Sequence, residues 1–189
     1  VEDAQRFQQL GSNIVGITGN IKFDQQVSGL KIQQGQAFKA QWQGKKIITL
    51  ASSREGEEAS FLQALAAQPL PPNVHPLIVP RHPQRFAEIA QLASAAGWQL
   101  LRRAQWAQTP ALSPQTLLLG DSMGEMALYY SLSDIALMGG SFMPFGGQNL
   151  IEALACYCPV ILGPHTYNFA QASQTALQAG LARSASDMP

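Results

Sequence analysis

The sequence predicts an α/β protein with a doubly wound parallel sheet, and three observations predict it. Six short runs rich in Val, Ile and Leu recur along the chain. They are continuous rather than alternating in polarity, as strands buried on both faces of a parallel sheet are. Longer segments with helical periodicity separate them, so strand and helix alternate. Finally, 189 residues with 46% hydrophobic content are enough for about one domain with a full core.

In chain order, residues 1–12 (VEDAQRFQQLGS) read as a short amphipathic helix or linker. A strand is expected at 13–18 (NIVGIT), a helix at 29–42 and a second strand at 46–51 (KIITLA). The helix at 57–67 follows, with Phe61, Leu62, Leu65 and Ala66 on a 3.6-residue period. After a Pro-rich loop at 69–72 come a strand at 77–80 (LIVP) and a helix at 83–96. Pro83 suits the first turn of that helix, and Phe86, Ile89, Ala90 and Ala93 keep its apolar period. Strands at 116–119, 135–138 and 160–162 then alternate with helices at 125–131, 150–156 and 169–180. Ser52 with Glu55, Ser122 with Glu125 and Asn149 with Glu152 are cap-and-acid pairs, the pattern of a helix start. No repeat or boundary divides residues 13–189, which are taken as one domain.

Composition removes several function classes. Twelve Lys and Arg balance twelve Asp and Glu. Nine basic residues face seven acidic ones up to residue 95, and three face five beyond it. Neither half has the basic excess that attracts nucleic acid or an anionic membrane surface. No apolar run approaches the ~20 residues of a membrane span, and the abundant Gln is dispersed, giving a neutral polar surface. Cys156 and Cys158 are too close for an unstrained disulfide, and no other cysteine completes a zinc set. They read as small buried hydrophobes in a reducing compartment. His75, His82 and His165 lack ligand-like spacing, so no metal site is expected. The start at Val1, without Met or signal peptide, points to a piece of a longer protein.

Ligands of open α/β sheets bind beyond the carboxyl ends of the strands. There this sequence has Gly or a small polar residue at almost every strand end, with a charged or imidazole group close behind. The strongest element is Gly146-Gly147-Gln148-Asn149. Its glycines allow close backbone approach, and the helix start offers free N–H groups to a phosphate. Glu152, one turn in, suits ribose hydroxyls or closes a capping box with Asn149. Arg81 follows a strand and can pair with a phosphate oxygen, a solvated arginine being the alternative. His82 serves either a ligand or helix-start packing. Ser122, Met123, Gly124 and Glu125 form another loop-to-helix start, cap or binding site. Lys22 by itself reads as a surface lysine. No dinucleotide fingerprint, P-loop or nucleophile elbow occurs. The residues alone give a nucleotide-type phosphate cleft without a recognisable nucleophile.

Together the segments GNIKFD (19–24), ASSREGEE (51–58), VPRHPQRF (79–86), GDSMGEM (120–126), DIALMGGSF (134–142), GGQNLIEALA (146–155) and GPHTYNF (163–169) resemble, in order, the C-terminal domain of the bacterial Kdo (3-deoxy-D-manno-octulosonic acid) transferases. The resemblance implies a Rossmann-like domain, the donor half of a GT-B enzyme that transfers Kdo from CMP-Kdo to the lipid A precursor with inversion. It implies Pro80, Arg81, Met123, Gly124, Glu125, Asn149, Leu150, Ile151 and Glu152 as CMP contacts, and Lys22 as the transition-state-stabilising lysine. No cofactor or bound metal is implied, since CMP-Kdo is a substrate. The general-base glutamate, the lipid A precursor site and the membrane anchor belong to an N-terminal domain outside this chain. The full-length protein would work at the cytoplasmic face of the inner membrane, and this piece would be soluble and catalytically incomplete. Where Gln148, Leu150 and Arg54 stand, the family commonly has His, Pro and His. Two other readings stay open: a GT-B nucleotide-sugar epimerase with an acid and a base in the cleft, and a non-catalytic nucleotide-binding module.

Overall fold

The computed structural model describes residues 2–17 and 26–188. Seven strands form one sheet in the order β3-β4-β2-β1-β5-β6-β7. They are β1 (Lys46–Ser53), β2 (Val74–Pro80), β3 (Gln99–Arg102), β4 (Thr116–Leu119), β5 (Ile135–Met138), β6 (Val160–Leu162) and β7 (Ala182–Ser184). Every pairing is parallel. The helices are α1 (Glu2–Gln9), α2 (Gly29–Gln41), α3 (Glu57–Ala67), α4 (Phe86–Ala95), α5 (Met126–Leu132), α6 (Leu150–Ala155) and α7 (Ala170–Gln178).

The predicted α/β architecture is therefore present, with differences that have local causes. The strand expected at 13–18 does not form over its described part: residues 12–17 have no regular secondary structure, and Val15 is 97% exposed. β-branched residues favour a strand only where a neighbour supplies a ladder and burial. The edge strands β3 and β7 are additional, short and half polar, so no continuous apolar run marks them. Of the three cap-and-acid pairs, only Asn149 caps its helix, accepting from the Ile151 N–H at 3.1 Å. Gly56 and Glu125 occupy the N-cap positions of α3 and α5, without a side-chain cap bond. Pro83 opens a single 3-10 turn (Pro83–Arg85) that leads into α4.

The core lies on both sheet faces. Leu50, Ile78, Leu117 and Leu119 pack with Phe61, Leu62 and Ile89 of α3 and α4. On the other face Ile47, Leu77, Val79 and Leu118 meet Trp42, Leu128, Tyr129 and Leu132. Trp106, fully buried in a 3-10 segment (Arg103–Gln108), packs edge-on against Phe38, Trp42 and Tyr129 at 5.6–5.7 Å. Each such pair contributes ~0.5–1.5 kcal/mol beyond area burial. Helix α2 reaches α5 at Gly35, where a Cβ would stand 2.4 Å from the Leu128 carbonyl oxygen. Cys156 and Cys158 are buried and free, as expected for small hydrophobes. Burial pushes both thiols up, that of Cys158 to about 12.

Candidate functional site

Strand order reverses at β1, whose neighbours are β2 and β5. A crevice at the carboxyl ends of such a pair is where open α/β sheets hold ligands. Pro80 is the buried last residue of β2, and Arg81 is exposed just past it. The Arg81 N–H donates to the Ser53 carbonyl at 3.0 Å, which ties the ends of β1 and β2. Its guanidinium has no hydrogen-bond or ion-pair partner among the described residues. Met123 and Gly124 are exposed in the β4–α5 loop, while Asn149, Ile151 and Glu152 are half-buried at the start of α6 and Leu150 is buried. These sequence-predicted residues share one rim. Lys22 lies outside the described residues.

The rim is organised by a carboxylate that the sequence reading did not single out. Glu57, fully buried, accepts the N–H groups of Arg54 at 2.9 Å and Gly140 at 2.7 Å on one oxygen, and that of Phe142 at 3.1 Å on the other. Burial lifts its carboxyl above the usual range, against the pull of those amide bonds. Glu57 thus binds the end of β1 to the loop after β5. Beside it, Glu58 accepts from Ser53 Oγ at 2.7 Å and from Arg85 at 2.6 Å. The β1 end is strained: Ser52 sits at φ +53 where the register with β2 shifts. A left-handed non-glycine residue costs ~1–3 kcal/mol and occurs preferentially at ligand sites. Gly139 permits the approach of β5, since a Cβ there would meet the Ser52 carbonyl oxygen at 2.3 Å.

Glu125 is already engaged within the protein. Its carboxylate accepts from Lys31 Nζ at 2.6 Å, Arg103 Nε at 2.9 Å and Ser122 Oγ at 2.5 Å. Burial pushes this carboxyl up, but the Lys31 and Ser122 bonds and the Arg103 charge outweigh it, leaving it below the usual range. What the Met123-Gly124-Glu125 turn can offer a ligand is therefore its backbone. Gly146 also has an internal reason: a Cβ there would meet the Asn168 and Tyr167 side chains at 2.4 Å. The Gly147 N–H donates to the Gly140 carbonyl at 2.7 Å, which folds the loop back before α6. Glu152 closes no capping box. It has no hydrogen-bond partner among the described residues, and burial lifts its carboxyl. A half-buried acceptor without a donor is the group that can take a ligand hydroxyl.

No protein-family model matches the chain. It is 44% identical over 98% of its length to the 3-deoxy-D-manno-octulosonic acid transferase of Bordetella pertussis, and 40% identical over 87% to that of Haemophilus influenzae. Its fold and sequence are similar to the crystal structure of the C-terminal CMP-Kdo binding domain of WaaA from Acinetobacter baumannii, with a TM-score of 0.76 and 30% identity over 85% of this chain and 84% of that one. This chain belongs to the Kdo transferase family. It spans 44% and 39% of the lengths of the two transferases, so it corresponds to under half of each.

Arg81, the glycine turns and Asn149 stand out in the sequence because strand ends followed by Gly or a helix cap are local signals. Glu57, Glu58, Arg85, Lys31 and Arg103 do not, because an acid run after a strand looks the same solvated or buried. The one available signal was that adjacent acids in the first turn of α3 precede the apolar period that faces the sheet. There are depressions of about 270 and 530 Å³, one between the C-terminal ends of α3 and α4 beside Trp98, the other beside Phe142 and Met188. Neither is lined by Arg81, Gly124 or Asn149.

Proposed function

We propose that this chain is the donor-binding half of an inverting GT-B glycosyltransferase that transfers Kdo from CMP-Kdo to the lipid A precursor. The observation that carries this reading is its likeness in fold and sequence to a solved CMP-Kdo binding domain. The rim is chemically suited to such a donor. The Arg81 guanidinium and the N–H groups at the Met123-Gly124 turn and the start of α6 can take the phosphate oxygens, and Glu152 can accept from ribose. Pro80, Leu150 and Ile151 set the backbone around these groups.

In the reaction, an acceptor hydroxyl loses its proton to a base and attacks the anomeric carbon of Kdo. The bond from that carbon to the phosphate oxygen breaks, and CMP leaves with the electron pair. Negative charge grows on the departing phosphate, where Arg81 and Lys22 would offset it. The base is a glutamate of the acceptor domain, outside these 189 residues. No metal enters these steps. The whole enzyme would act at the cytoplasmic face of the inner membrane. Among the described residues no helix is long and apolar enough to cross a membrane.

Titration with CMP, UMP and AMP under residue-resolved NMR tests the reading. CMP should bind most tightly and shift the amides of Arg81, Gly124 and Ile151. Shifts confined to other surfaces, or a preference for UMP, would reject it, the latter in favour of a nucleotide-sugar epimerase.

A further inference from the structure

We propose that Arg54 is a specificity-determining residue that binds the carboxylate of the donor sugar. This rests on the reading of the chain as a CMP-Kdo binder. That donor carries two separate anionic groups, the phosphodiester and the carboxylate of an octulosonic acid. The rim carries two arginines on neighbouring strand ends, joined through the Arg81 N–H to Ser53 carbonyl bond. Arg81 stands on the β2 side. Arg54 stands toward β5, because its N–H and that of Gly140 converge on the same Glu57 oxygen at 2.9 and 2.7 Å. The switch point lies between β1 and β5, so Arg54 borders the crevice itself.

The state of the side chain fits a ligand role. The Arg54 Cζ lies 4.2 Å over the Phe145 ring centroid, in the loop that leads to Asn149. This contact holds the guanidinium in place before any ligand arrives. Its only ion pair among the described residues is Nε to Glu55 at 3.1 Å, and Glu55 is 52% exposed. Such an exposed pair is weak and easily exchanged. The two terminal nitrogens, Nη1 and Nη2, have no partner among the described residues. They are free to present the two-pronged donor set that matches a carboxylate. A histidine at this position would lack that fork.

The test compares CMP-Kdo with CMP, which lacks the carboxylate, by calorimetric titration of the 189-residue chain. Arg54→Gln should weaken CMP-Kdo by about tenfold or more and change CMP by less than about twofold. Arg81→Gln should weaken both. Glu55→Gln, which leaves Arg54 intact and removes its competitor, should tighten CMP-Kdo alone, a result that does not depend on how well the Arg54 variant folds. Equal loss of both ligands in Arg54→Gln would assign Arg54 to the nucleotide and overturn the proposal, as would no loss of either or an unchanged Glu55→Gln. Failure of the wild-type chain to bind CMP would instead defeat the donor-domain reading, and is visible before any variant is made.

Discussion

Removing the Glu57 carboxylate is the perturbation to which the rim should be most sensitive. The side chain is 0% exposed and accepts three backbone N–H groups, two on one oxygen and one on the other. In Glu57→Ala all three donors lose their acceptor. An unsatisfied buried donor costs ~1–3 kcal/mol, so the gross loss is ~3–9 kcal/mol. The removed charge was itself penalised by burial, and water can enter the vacated space, so a net cost of ~3 kcal/mol is expected. Glu57→Gln can keep its oxygen where Arg54 and Gly140 converge, but it then turns an NH2 toward the Phe142 N–H. It should cost ~1–2 kcal/mol. Urea denaturation measures both, through a shifted midpoint at unchanged slope. A Glu57→Ala cost within the ~0.5 kcal/mol of an ordinary surface change would show that the three amides do not depend on this carboxylate. So would a Gln variant less stable than the Ala variant.

Other outcomes follow from the same structure. Gly35→Ala should destabilise by ~1–3 kcal/mol in the same assay, because overpacking against the Leu128 carbonyl outweighs the ~0.5–1 kcal/mol gain in helix propensity; a stabilised variant would show that α2 and α5 can move apart at little cost. Glu125 has a folded-state pKa below its unfolded value, so its stabilisation is full above about pH 4.3 and is lost as pH falls through the folded value. Glu125→Gln should therefore be less stable than wild type at neutral pH and converge with it in acid, as thermal melts across that range would show; parallel curves would contradict the sign. Glu152→Ala should weaken CMP binding with little change in stability, since the carboxylate makes no capping bond; unchanged affinity with a loss of ~0.5–2 kcal/mol would mean that a cap was its only role.

The strands Thr116–Leu119, Ile135–Met138 and Val160–Leu162 and the helix Glu57–Ala67 coincide with the sequence reading. All four are either continuous apolar runs or amphipathic over a full period, and burial on both sheet faces imposes that pattern. β3 escaped because its ends, Gln99 and Arg102, are exposed at a sheet edge. Residues 13–17 misled for the opposite reason, having strand-forming side chains but, apart from the half-buried Ile14, full exposure to solvent. The same division holds at the site. Arg81, Gly124 and Asn149 are marked by local chain grammar. The Glu57 cradle and the Lys31–Glu125–Arg103 cluster are assembled from segments up to 94 residues apart. Charge pairing across that separation leaves no periodic trace in one sequence.

The seat proposed for cytidine monophosphate is the rim between the ends of β2 and β5. A crystal structure of the chain grown with saturating CMP would locate the nucleotide. Phosphate oxygens are expected ~3 Å from the Arg81 guanidinium and from an N–H at the start of α6, with ribose against Glu152. CMP seated beside Trp98 or Met188, with Arg81 still unpartnered, would contradict that placement.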